Sequence, residues 1–125
     1  MKRFLPAVIW SLVILLLSIL PGSSLPKVGW KSFLEFDKIA HAGVYFVLVV
    51  ITAMSLKASI KARLVKNLAL VVLVCSLYGI LLEVIQYIFL SDRFFEIPDI
   101  IANISGSILG SIIVYLILKR KAYES

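Results

Sequence analysis

A carboxylate in the middle of an apolar run sets the chemistry open to this chain. Residues 78–103 read YGILLEVIQYIFLSDRFFEIPDIIAN: a hydrophobic stretch with Glu83 and Gln86, a short polar turn with Arg93, then a second hydrophobic stretch opening at Pro98-Asp99 with Asn103 one turn further in. A carboxylate presented to lipid costs roughly 2.5 kcal/mol or more, so it normally faces a bundle interior and marks a site. Upstream, Asp37, His41 and Tyr45 follow at steps of four, which stacks them on one helix face. Carboxylates, one imidazole and one guanidinium suit general acid–base work, stabilisation of negative charge, or a grip on phosphate and carboxylate ligands.

The elements that position these groups follow from composition. Of 125 residues, 62% are hydrophobic and 16% charged, too apolar for a soluble domain, whose apolar share is nearer half. The chain reads as an all-α integral membrane protein, a single domain over 1–125 with helices at about 4–20, 38–56, 68–90 and 98–118. The first run approaches the lower length limit for spanning a bilayer. A cleaved signal peptide begins the same way, with Gly22-Ser23-Ser24 as a weak cleavage region, but the hydrophobic run is long for one and a retained helix is expected. Residues 21–37 have the Pro, Gly and Ser content of a loop, while Trp30, Phe33, Leu34 and Phe36 suit a short segment in the headgroup layer. Lys57, Lys61, Arg63 and Lys66 form a basic connector. In the third run Ser76, Gly79, Glu83 and Gln86 make a narrow stripe toward partner helices. Phe94 and Phe95 are placed to anchor at the interface, and Gly106 and Gly110 make a small-xxx-small surface for close helix approach.

Charge sets the topology. With both termini cytoplasmic, nine basic residues (Lys2, Arg3, Lys57, Lys61, Arg63, Lys66, Lys119, Arg120, Lys121) fall inside and four (Lys27, Lys31, Lys38, Arg93) outside, a clear positive-inside bias. The net charge of +6 therefore orients the protein and is not a nucleic-acid footprint, since no basic face with interleaved aromatics exists outside the apolar runs. Cys75 is alone and forms no intrachain disulfide. In this topology the second and fourth helices enter from outside and the third leaves there. At about 1.5 Å per residue, His41, Glu83 and Asn103 then reach one layer just beneath the external surface. The expected site is Asp37, His41, Tyr45, Glu83, Gln86, Arg93, Asp99 and Asn103. The inner halves of the helices hold almost nothing titratable, which argues against an ion path through the membrane.

Each residue also has a structural reading. His41 alone is as well explained by a hydrogen bond at a helix start, and Tyr45 and Gln86 better by packing and interhelical hydrogen bonds. Asp99 after Pro98 suits a helix N-terminus, Arg93 a side chain reaching the headgroups. Glu83 is the hardest to explain structurally, except as an ion partner of Arg93 or His41. A metal site on Asp37, His41, Glu83 and Asp99 has one histidine and no HxxxH or HExxH spacing, so no metal and no other cofactor is expected.

The ordered motifs DKIAH with Tyr45, YGILLE with Gln86, Arg93, and Asp99 to Asn103 with Gly106 and Gly110 resemble the VanZ-like family of small bacterial membrane proteins over about residues 37–111. That resemblance implies a multi-pass protein of the bacterial cytoplasmic membrane with a role in the cell envelope, and an association with glycopeptide (teicoplanin) resistance; it supplies no reaction. The residues favour a pocket on the outer side that binds an anionic lipid headgroup or a lipid-linked cell-wall precursor, with Arg93 on phosphate or carboxylate and Asp37, Tyr45, Gln86, Asp99 and Asn103 lining it. An enzyme using Glu83 and His41 as an acid–base pair is the alternative, with water or a substrate hydroxyl as nucleophile. A non-catalytic assembly or regulatory subunit is the third.

Overall fold

Apolar runs of this length bury their main-chain polar groups by forming helices, because hydrocarbon offers no partner for an open N–H or C=O. The computed structural model describes residues 2–19, 30–56, 63–90 and 97–124, with side chains from 38 in the second segment and up to 121 in the last. After a short 3-10 turn at Lys2–Phe4, the helices are α1 (Leu5–Ile19), α2 (Trp30–Ser55), α3 (Leu64–Phe89) and α4 (Ile97–Glu124). All four regions are long and apolar enough to cross a membrane.

Three boundaries differ from the sequence reading. α2 starts at Trp30, not 38, because no proline interrupts the chain from there to Ser55, so Trp30 to Asp37 continue the helix; the side chains expected in the headgroup layer lie outside the described ones. α3 takes in Lys66, placed above in the connector, and α4 runs past 118 to Glu124 through good helix formers, Lys119 to Ala122. Pro98 is the second residue of α4, where its missing N–H leaves no intrahelical bond unmade.

α2 packs most extensively on α4, and two glycines explain why. A Cβ on Gly106 would collide with the carbonyl of Ala42, and one on Gly110 would lie 2.8 Å from the Phe46 carbonyl oxygen and 3.3 Å from Val49 Cβ. No described glycine has a positive φ, so these two serve closeness and not backbone conformation. The paired order, 42 with 106 and 46 with 110, makes α2 and α4 parallel. Against them α3 runs the other way: Gly79 faces Tyr45 and Asn103, while Glu83, four residues later, faces the earlier His41 and Asp99.

α1 is held to α3 by two side-chain donors that reach main-chain carbonyls. The Tyr78 hydroxyl donates to Ser11 O at 2.6 Å and the Gln86 amide to Ser18 O at 2.8 Å. Trp10 Nε1–H donates to Val44 O of α2 at 2.9 Å. The core below the polar layer gathers Ile14, Leu48, Val49, Ala53, Leu68, Val71, Cys75, Val114 and Leu118. Leu5, Val8, Leu12 and Leu16 of α1, like Leu73, Leu77 and Leu81 of α3, face outward, a surface that only lipid covers at low cost. Replacing Tyr78 by Phe removes one donor from α1 and is expected to lower stability by about 0.5–1.5 kcal/mol. Thermal denaturation in mild detergent checks this, and an unchanged midpoint would show that α1 is held by packing alone.

Candidate functional site

The parallel pairing of α2 with α4, opposed by α3, decides which polar residues share a level. Asp99 and Asn103 occupy successive turns at the start of α4, Glu83 lies near the C-terminal end of α3, and His41 lies well inside α2. They meet: one ligating atom each from His41, Glu83 and Asp99 all lie within 4.8 Å of one another. Glu83 is 2% exposed, Asp99 6% and Asn103 2%. The His41 side chain, at 20% exposed, is less enclosed.

Imidazole orientation is set by α4. Nδ1 of His41 lies 3.0 Å from Asn103 Oδ1, and with the amide assigned in that direction the oxygen only accepts, so Nδ1–H donates. The other ring nitrogen, Nε2, is turned toward Asp99 Oδ2 at 3.6 Å. That distance suits an imidazolium–carboxylate pair, or an ion held between a neutral ring and the carboxylate. Asn103 itself is kept in place by lack of bulk opposite: a Cβ on Gly79 would stand 2.9 Å from Asn103 Nδ2 and 3.1 Å from the Tyr45 ring. Ser107, completely buried, donates to Asn103 O at 2.8 Å.

Of the residues expected in the site, His41, Glu83, Asp99 and Asn103 form one cluster. Tyr45 packs beneath it at 2% exposure, with its hydroxyl within electrostatic reach of Glu83. Gln86 is buried beside α1 and its amide nitrogen donates to Ser18 O, so it ties helices together. Asp37 lies on α2 one turn before His41, with its side chain outside the described ones, and Arg93 lies outside the described residues altogether. Phe94 and Phe95 do so too.

Sequence reasoning missed Tyr78, Trp10 and Ser107. The signal for the first two was present: a phenol and an indole inside hydrocarbon need an acceptor, and main-chain carbonyls of a neighbouring helix supply it. Ser76, also buried, has no hydrogen-bond partner for its hydroxyl oxygen among the described residues.

Chemically the cluster combines two carboxylates and an imidazole, so it can accept hydrogen bonds, move a proton, or hold a cation. Comparison with protein families finds a match to VanZ/LLP1 over residues 4–118. Neither the curated proteins nor the solved structures contain a match to this chain.

Proposed function

The chain belongs to the VanZ/LLP1 family, and from that premise we propose that it binds the polar end of a phosphate-bearing lipid or lipid-linked precursor of the cell envelope in the His41–Glu83–Asp99–Asn103 cluster. The observation that supports this most is the meeting of buried polar groups from three membrane helices at one depth, beside a partly exposed His41. Intramembrane ionisable groups are rare because they are costly, and packing four helices does not require them. By the positive-inside count the His41 end of the bundle is expected on the outer side, where a lipid-borne ligand would slide in laterally at headgroup depth. Glu83 and Asp99 accept hydrogen bonds from amine or hydroxyl groups of the ligand, Asn103 fixes the imidazole, and Arg93, at that same end of the chain's topology, takes the phosphate. Teicoplanin resistance would then follow from a changed amount of that lipid.

A second reading makes the same residues an acid–base unit. His41 is oriented by Asn103 and faces Asp99 through its other nitrogen, the arrangement of a general base held by an amide and a carboxylate. Incubation of the purified protein with labelled lipid-linked precursor separates the two, since binding leaves the lipid intact and catalysis yields a product.

The test is a lipid comparison between a strain lacking the gene and the same strain complemented. One lipid class is expected to change in amount and to return with the wild-type gene but not with Asp99→Asn. Identical lipid profiles in all strains would remove the proposal.

A further inference from the structure

We propose that His41, Glu83 and Asp99 are the protein ligands of a divalent cation, which bridges the cluster to the ligand's phosphate. The inference deepens the function proposed above and rests on it for the bridging role, while the cation site itself stands on geometry alone.

Charge is the first argument. Glu83 and Asp99 bring two carboxylates together beside a single imidazole. Where both are ionised they disfavour a phosphate placed directly against them, since a low-dielectric interior leaves little screening. A divalent cation offsets the carboxylates and offers its open positions to phosphate oxygens, the way Mg2+ is commonly held by one or two carboxylates plus a substrate phosphate.

Orientation is the second. A metal-bound histidine usually donates its other ring N–H to a fixed acceptor, which sets the tautomer and aims the lone pair. His41 does this: Nδ1–H is given to Asn103 Oδ1 at 3.0 Å, and Nε2 points at Asp99 Oδ2, 3.6 Å away. Distance is the third. Ligand atoms around a tetrahedral ion with bonds of about 2.1 Å stand roughly 3.4 Å apart. The Nε2–Oδ2 pair is already near that value, and the whole set lies within 4.8 Å, so closure needs carboxylate rotation of ~1 Å and no helix movement. One nitrogen with carboxylate oxygens, three protein ligands and remaining positions open, suits Zn2+ or Mn2+ over softer ions.

Full-length protein in nanodiscs, stripped with chelator and dialysed, is titrated separately with Zn2+, Mn2+ and Mg2+, and bound metal is measured by elemental analysis. About one equivalent of at least one ion per chain is expected, with thermal unfolding of the wild type shifted upward as that ion is added. His41→Ala, Glu83→Gln and Asp99→Asn should each weaken binding at least tenfold. Asn103→Ala, which leaves all three ligands but frees the ring, should weaken it ~10- to 100-fold. No binding by the wild type, or binding equally strong in the three ligand variants, overturns the cation site; the wild-type titration decides even where a variant fails to fold. Lipid extracted from the same stripped samples keeps the two ideas apart. Lipid retained as well without metal overturns the bridge and leaves the binding function standing, whereas metal bound with no lipid retained in any state leaves the cation site and removes the binding function.

Discussion

Gly106→Leu is expected to leave almost no correctly packed protein. The hydrogen that Gly106 carries in place of a side chain faces the Ala42 carbonyl, and even a methyl there would overlap main-chain atoms of α2. Main chain does not rotate away as a side-chain end does, so α2 and α4 must separate. That separation opens the contact at Gly110 and Phe46 and undoes the Asn103–His41 hydrogen bond. Overpacking alone costs about 1–3 kcal/mol, and here the lost interhelical contacts add to it, for an expected total of at least ~3 kcal/mol. Leu109→Ala, at a position 56% exposed on the lipid face of the same helix, is the control and should leave stability within about 0.5 kcal/mol. Size-exclusion profiles and thermal midpoints in mild detergent read both. A Gly106→Leu protein as monodisperse and heat-stable as wild type would mean that α2 and α4 do not approach as described.

Glu83→Leu is expected to do the opposite to stability while abolishing function. In metal-free protein Glu83 shares a small buried volume with Asp99 and His41. The substitution keeps the His41–Asp99 contact and replaces a buried carboxylate with an apolar group of similar size. Replacing buried ionic groups by hydrophobic ones is often neutral or stabilising by about 1–4 kcal/mol. After chelation, Glu83→Leu should therefore melt at or above the wild-type temperature. Stability and activity part in this way when a site is kept for what it binds. If instead the cluster were only a lock between helices, as in an assembly subunit, the same variant would melt several degrees lower.

How much of this could be read from the sequence depends on what each inference needed. The meeting of His41, Glu83, Asp99 and Asn103 needed only helix rise and alternating direction, because spans of similar length bring equal depths together. Gly106 and Gly110 showed a surface suited to close packing, but which helix would use it is a tertiary matter; α2 does, through Ala42 and Phe46. The start of α2 was misplaced because Pro, Gly and Ser before Trp30 colour the whole window, and the helical stretch from Trp30 to Asp37 carries too many charges to look like a span. An interhelical hydrogen bond for Gln86 was legible from an amide inside an apolar helix, but its acceptor, the carbonyl of Ser18, was not. The absence of HxxxH or HExxH spacing argued against a metal, yet such spacing concerns two ligands on one helix, and the proposed ligands come one from each of three helices.

The most direct measurement is native mass spectrometry of the wild type and Glu83→Leu, released from membranes side by side with their melting temperatures recorded. The wild type should carry a phosphate-bearing lipid that Glu83→Leu, folded and no less stable, has lost. Equal lipid occupancy in the two proteins would contradict the claim that this buried cluster is where the ligand is held.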